Sequence, residues 1–292
     1  MPLAVVLALA AVAAPRAVSA DADALTVTLA DRALQPGELV VVTIAATGAR
    51  AIDRVTVRAF GHDVPAFEAG GGTWQAIAGL DLDAVPGPCT VDVTATIDGQ
   101  AAQVMRDCRV LAKTFPTRRL RVAPDYVNPP PDILARIQRD AALLERTWAA
   151  SSPTRLWDGP FVRPVPQRAN SAFGTRSIFN GEPRSPHSGA DFLSPAGTPV
   201  HAPNAGRVVV AEDLYFTGNT VVIDHGLGLL SLFAHLSRMD VAPGETVATG
   251  QVLGAVGSTG RVTGPHLHWT LRANGARVDP LSLLALLGRD AG

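Results

Sequence analysis

Lysine is almost missing from this chain. Lys113 is the only one in 292 residues, and arginine supplies the remaining 24 basic side chains. That bias reads as base composition rather than function. The 25 basic residues nearly balance the 26 acidic ones, for a formal charge of −1. No strong basic field is therefore available for nucleic acid or for adsorption to an anionic membrane. Past the first twenty residues no apolar run is long enough to span a bilayer. The motif H-E-x-x-H is absent, so no helix carries a glutamate base beside two metal-binding histidines. Cysteine is reduced to Cys89 and Cys108.

Leu3 to Ala14 form an apolar run, followed by Val18-Ser19-Ala20 and the polar Asp21-Ala22-Asp23. Residues 1–20 therefore read as a signal peptide with a small-residue cleavage site, although no Lys or Arg precedes the run. No cysteine lies at that site, which argues against a lipid anchor. Export to the periplasm or cell envelope permits a disulfide. Thr90 to Ile97 and Ala101 to Val110 read as strands, with Asp98-Gly99 as a two-residue hairpin turn. Counting outward from Ile97 and Gln100 sets Cys89 opposite Cys108, within bridging range but in the wider kind of strand pair. Two separate buried thiols are the alternative.

Residues 21–112 contain short β-rich runs such as Leu39-Val40-Val41-Val42-Thr43-Ile44, divided by turns such as Pro36-Gly37 and Gly70-Gly71-Gly72. The pattern predicts an immunoglobulin-like β-sandwich, with His62 on its surface. Residues 113–160 read as a linker. Within it Asp132 can cap a helix over about 133–148, whose Ile133, Leu134, Ile137, Ala141, Leu144 and Trp148 form an apolar stripe. From residue 161 to 292, short strands alternate with glycine turns and helix-length patterns are few. That predicts a mainly β chain ending in an open, barrel-like antiparallel sheet, closed by an apolar terminal helix at Leu281 to Leu287.

The chemistry sits in two segments of this second half. Pro186-His187-Ser188-Gly189-Ala190-Asp191 carries H-x-x-x-D, and Gly264-Pro265-His266-Leu267-His268-Trp269 carries H-x-H. Two imidazoles and one carboxylate make an open zinc site, with one tetrahedral position left for water. Pro186 and Gly189 place the first pair on a loop running into a strand. On a strand His266 and His268 point to the same face, so one can ligate while the other stands beside the water. A closed structural site would normally take a fourth protein ligand.

From about Phe161 to Leu284 the chain resembles the lysostaphin-type zinc metallopeptidases, which cut the peptide part of peptidoglycan. The resemblance rests on the two segments above, with Gly197-Thr198-Pro199-Val200-His201-Ala202-Pro203, Gly218-Asn219-Thr220-Val221-Val222-Ile223-Asp224-His225-Gly226, Phe233-Ala234-His235-Leu236-Ser237 and Gly257-Ser258-Thr259-Gly260 in matching order. It implies one Zn²⁺ held by His187, Asp191 and His268. It places His235 and His266 beside the water and the scissile carbonyl, leaving open which takes the proton. Arg184 and Asn219 lie inside the matched motifs as candidates for lining the substrate groove. His201 and His225 read as structural or solvent-facing. A tyrosine often stands where this chain has Phe233, which removes a hydroxyl but no ligand.

The resemblance implies an endopeptidase acting on peptidoglycan stem peptides. No nucleic acid partner and no stable membrane insertion after signal cleavage are expected. Some members of the family lack the zinc set and instead activate other cell-wall hydrolases. Such a regulator is the alternative, and the presence of all five site residues weighs against it. Export should leave a mature chain starting near Asp21 with Cys89 joined to Cys108. Intact mass before and after reduction and alkylation reads both, and a retained Met1 or two freely alkylated thiols in envelope protein would contradict them.

Overall fold

The computed structural model describes residues 24–48, 50–121, 129–169 and 173–289; the expected signal peptide (1–20) lies outside them. The chain is mainly β, with twenty strands and two helices among the described residues. None of those helices is long and apolar enough to cross a membrane.

The first eight strands form two four-stranded antiparallel sheets. One has the order Leu25–Ala30, Leu39–Ala46, Thr73–Gly79, Ala66–Gly70; the other has His62–Val64, Ile52–Ala59, Gly87–Ile97, Gln100–Val110. Alternation drives their packing. Val91, Val93, Ala95 and Ile97 turn inward against Val40, Val42 and Ile44, while the residues between them stay nearer solvent. The last hairpin turns on Asp98 (φ 50°) and Gly99 (φ 74°), both left-handed as a tight two-residue turn requires. Its register sets Ile97 opposite Gln100 and Cys89 opposite Cys108, and the two cysteines form a disulfide with Cα atoms 4.8 Å apart.

The C-terminal half is a nine-stranded antiparallel sheet. Its main path runs Gly189–Phe192, Leu267–Ala273, Leu229–Met239, Gly218–Gly226, Gly206–Leu214, Thr246–Val247. One face carries Leu267, Trp269, Leu271, Phe233, Val221 and Ile223 into the largest apolar core, where Phe233 stacks on Trp269 at 6.2 Å. Each such fully buried side chain contributes about 1.5–3 kcal/mol. Leu39 and Ile77 of the first half enter the same core, as does Leu283 of the terminal helix Pro280–Leu287.

The opposite face is divided. Val222, Leu230, Leu232 and Ala234 pack against Leu143, Leu144 and Trp148 of the helix Pro131–Ala149. The rest of that face carries polar side chains. The helix departs from its predicted form. Pro131 occupies its first turn, where a missing N–H costs nothing and a fixed φ helps, so Asp132 makes no side-chain cap. Leu134 and Ala141 are exposed, and the inward stripe instead includes Asp140, which is buried and accepts from the Tyr215 N–H at 2.8 Å. A second difference is the strand Thr117–Leu120, which pairs in parallel with Arg176–Phe179. Its Thr-Arg-Arg-Leu sequence lacks the apolar alternation that would reveal it.

Polar contacts lock the two halves together. Arg277 pairs with Asp81 and, at 2.7 Å, with Asp83. Arg32 bridges Glu38 and Asp279, and Ser282 Oγ accepts from the Leu39 N–H at 3.0 Å. Burial alone would raise the Asp81 carboxyl, but hydrogen bonds from Arg277 outweigh it and hold the group down to about 2. A depressed carboxyl stabilises the fold above its unfolded value of 3.8 and loses that contribution as pH falls toward about 2. Urea midpoints of wild type and Asp81→Asn should therefore differ at pH 6 and converge between pH 4 and 2 (roughly the span of the two values). A gap that stays constant down to pH 2 would show that Asp81 does not carry this linkage.

Candidate metal centre

The site grows from one strand pairing. Gly189–Phe192 runs antiparallel to Leu267–Ala273, and the register sets Asp191 across from His268. Directly opposed residues share a face with Cβ atoms about 5 Å apart, so the carboxylate and the imidazole meet. On its other side His268 lies opposite Ala234, placing both on the face that also receives the helix. Gly189 permits the approach. A Cβ there would run into the Trp269 carbonyl and lie 2.8 Å from the His268 ring. His187 is brought in by its loop, where the Gly174 N–H donates to its carbonyl at 2.7 Å and its own N–H donates to Thr175 O at 2.9 Å.

Three atoms converge. His187 Nε2 is 3.0 Å from Asp191 Oδ1 and 3.1 Å from His268 Nδ1, and His268 Nδ1 is 2.8 Å from Asp191 Oδ1. A tetrahedral ion with bonds of about 2.0–2.1 Å holds its ligand atoms about 3.3 Å apart, so the set fits a metal with a few tenths of an ångström of expansion. Among the described residues His187, Asp191 and His268 are the group able to hold an ion. Thr270 Oγ1 sits 2.9 Å from His268 Nε2 and fixes the ring so that Nδ1 faces the site. Burial opposes the charge of Asp191, but hydrogen bonds from His187 and His268 hold its carboxyl well below the usual range. Burial pushes the His268 imidazole below its ordinary value, with Asp191 opposing.

His235 and His266 stand beside this group with ring centres 4.8 Å apart. His266 Nδ1 donates to Gly264 O at 2.9 Å, which turns its Nε2 to within 3.8 Å of Asp191 Oδ1. His235 is presented by a bulge. The pairing of Leu229–Met239 with Gly218–Gly226 slips between Asn219 and Val221, and His235 takes φ 64°, a left-handed conformation uncommon outside glycine. Its N–H donates to Thr217 O at 2.8 Å and its Nδ1 to Thr259 O at 2.9 Å. Burial, helped by nearby His268, lowers its pKa to about 3, so the ring is neutral at physiological pH. Both histidines thus leave Nε2 as the atom available to chemistry.

The other sequence candidates fall elsewhere. Asn219 Nδ2 donates to Leu236 O at 3.0 Å and its N–H to Thr259 Oγ1 at 2.9 Å, which secures the bulge. Arg184 pairs with Glu182 at 2.7 Å on the hairpin preceding His187. His225 is wholly buried between Ala205 O and Ser231 Oγ, and His201 Nδ1 reaches Gly250 O. Sequence reasoning missed Thr259 and Thr270. Thr270 had a signal, since it continues the alternation of His266 and His268; Thr259, which meets His235 through its carbonyl and Asn219 through its hydroxyl, had none.

The profile of Peptidase family M23 matches residues 185–280, the stretch that holds the whole centre. A crystal structure of an M23 protein from Pseudomonas aeruginosa superposes with a TM-score of 0.66 at 34% identity, covering 86% of this chain and 94% of that one. The chain belongs to peptidase family M23. Among curated relatives, the peptidoglycan DD-endopeptidase ShyA of Vibrio cholerae is 42% identical over 115 residues, 39% of this chain and 27% of that protein. The DD-carboxypeptidase/endopeptidase Mpg of Neisseria meningitidis is 46% identical over 97 residues, 33% of this chain and 22% of that protein. The chain thus aligns with about a quarter of the length of these relatives.

For this M23 chain the close approach at Gly189 leaves no room for a side chain beside the His268 ring of the candidate centre. Gly189→Ala should fold yet bind metal about 10- to 100-fold more weakly, as is usual when a ligand loses its support. Metal titration alongside far-UV circular dichroism reads this, and unchanged affinity would refute the packing argument.

Proposed function

We propose that this protein is a zinc endopeptidase that hydrolyses peptide cross-links of bacterial peptidoglycan in the periplasm or cell envelope. The observation that carries the reading is a three-residue centre with two further imidazoles beside it, each with Nδ1 committed to a backbone carbonyl. The family match and the named activities of ShyA and Mpg support the substrate. His187, Asp191 and His268 would hold one Zn²⁺, which when bound lowers the pKa of water from 15.7 toward about 7 and polarises a carbonyl.

The remaining work falls to His235 and His266. A neutral imidazole whose Nδ1–H is committed to a carbonyl offers its Nε2 lone pair to a proton, and once protonated returns an N–H donor. One of the pair takes the proton of the attacking water. The other can donate to the oxyanion that develops on the scissile carbonyl only while its Nε2 carries a proton, and the proton taken from water passes to the leaving amine as the C–N bond breaks. Of the two sequence candidates for holding the peptide, Asn219 is committed to the bulge and Arg184, paired with Glu182 on its hairpin, is the one that remains. Two four-stranded antiparallel sheets around a core of their own support residues 21–112 as an immunoglobulin-like domain beside a peptidase domain at 161–292, with Leu39 and Ile77 reaching across into the latter's core.

Digestion of purified sacculi, with mass spectrometry of the new termini, tests the reading and names the bond. His235→Ala and His266→Ala should each keep stoichiometric zinc and lose about 10²- to 10⁴-fold in turnover. No new termini from zinc-loaded wild type, or wild-type rates from both variants, would overturn it. A protein that cuts nothing alone yet activates a second hydrolase would be the regulator instead.

A further inference from the structure

One loop serves both of the imidazoles beside the centre. It runs over residues 257–266 between the strands Val252–Val256 and Leu267–Ala273, and its ends meet where the His266 N–H donates to Gly257 O at 3.2 Å. Along it the Thr259 carbonyl faces His235 Nδ1 at 2.9 Å, and the Gly264 carbonyl faces His266 Nδ1 at 2.9 Å. A carbonyl can only accept, so each neutral ring carries its proton on Nδ1 and keeps a lone pair on Nε2. The two carbonyls are held differently. Gly264 lies two residues from the histidine it meets, whereas Thr259 is 24 residues from His235 and belongs to another segment. The Thr259 side chain joins the two segments. Its hydroxyl donates to Leu236 O at 2.8 Å, one residue beyond His235, and accepts from the Asn219 N–H at 2.9 Å, where the ladder slips. Leu236 is fully buried, so its carbonyl needs a donor from inside the protein, and Asn219 Nδ2 at 3.0 Å is a second one. Two glycines let the loop come this near. A Cβ on Gly218 would run into the hydroxyl and carbonyl carbon of Thr259, and one on Gly260 would run into the Gly218 nitrogen.

We propose that Thr259 is a positioning residue for the peptidase reaction: its hydroxyl ties the loop to the bulge, and through that tie its own carbonyl holds His235 in the Nδ1–H tautomer. The inference rests on the peptidase reading above and adds to it a residue that acts through His235. A neutral imidazole takes whichever tautomer its hydrogen bonds select. Without a carbonyl fixed at Nδ1, the ring can move its proton to Nε2, which then has no lone pair with which to receive one from water. Valine has the shape of threonine but neither the donor nor the acceptor. Other ties keep the loop in place without the hydroxyl, namely the Arg261 N–H to Phe216 O at 2.9 Å and the His266 N–H to Gly257 O. Loss of the hydroxyl should therefore loosen one carbonyl and leave the fold and the three candidate metal ligands where they are.

Thr259→Val and Thr259→Ser, both zinc-loaded, separate the hydroxyl from the shape of the side chain. Long-range proton–nitrogen NMR of protein labelled at histidine reads each tautomer, with the His235 signals identified by their loss in His235→Gln. Wild type and Thr259→Ser should show His235 protonated on Nδ1, and Thr259→Val should show a mixture with the Nε2–H form. On a cross-linked peptide Thr259→Val should keep zinc and KM and lose about tenfold to a hundredfold in kcat, the scale of a catalytic group displaced by up to about 1 Å. Thr259→Ser should recover most of that loss. An Nε2–H ring at His235 in wild type, an unmixed Nδ1–H ring or wild-type kcat in Thr259→Val, or equal losses from Val and Ser would each overturn the assignment. If Thr259→Val fails to fold or to keep zinc, Thr259→Ala removes the same hydroxyl, and failure of both makes the residue structural and also overturns it. The NMR readout needs no turnover. A wild type that cleaves no cross-link would sink the peptidase reading alone, while the tautomers still decide whether Thr259 holds His235.

Discussion

Everything at the centre follows from the register between Gly189–Phe192 and Leu267–Ala273. A slip of one residue would turn Asp191 into the apolar core and bring Ala190 to the metal face, because side chains alternate with period two. The register is therefore protected by burial: Ala190, Phe192, Leu267, Trp269 and Leu271 are all fully buried on one side. The apolar residues on the core face thus fix the polar ones on the other. The geometry of the candidate metal centre is in this sense a by-product of core packing, and Gly189 is the place where the two demands meet.

The same sheet resolves a conflict between stability and chemistry. A sheet polar across one face would leave its apolar neighbours in water. Here the helix Pro131–Ala149 covers Val222, Leu230, Leu232 and Ala234, and the ligands occupy what remains. Trp148 lies against the Arg272 guanidinium at 5.2 Å, and Asp140 takes the Tyr215 N–H, so the helix is fixed at its end and its middle. The bulge at His235 is the remaining adjustment. It departs from the regular ladder at one residue and is held there by the Thr217 and Thr259 carbonyls, which turns a strand side chain toward the groove.

Legibility in the sequence tracked how local each signal was. The alternation of His266 and His268 with Leu267 and Trp269 announced a strand with two imidazoles on one face, and a ligand-bearing face needed little more. Which imidazole meets the carboxylate depends on pairing with a strand about 75 residues away, and only the register resolves that from the residues themselves. The apolar spacing found the helix but misplaced its stripe, because a buried aspartate with a backbone donor substitutes for an apolar residue and periodicity cannot see the donor. The parallel strand Thr117–Leu120 and the bulge at His235 were invisible for the same reason. Both are defined by distant partners and not by their own composition.

The electrostatics of the centre also explain why its residues cluster so tightly. Two ring nitrogens and a carboxylate oxygen lie within 3.1 Å of one another. Three lone-pair atoms at that range repel unless a proton or a cation sits among them. Protons on the imidazoles can meet the need, and hydrogen bonds from His187 and His268 are what hold the Asp191 carboxyl down. A metal ion meets it better, because one charge serves all three atoms and removes the competition between two rings for one oxygen. Metal and protons would thus be alternatives at the same atoms, so acid would displace a bound ion and binding the ion would release protons. The fold need not be built by the metal: the strands beneath are fixed by Trp269, Phe233 and Phe192, and the ligand cluster is held ready for an ion by packing that does not require one.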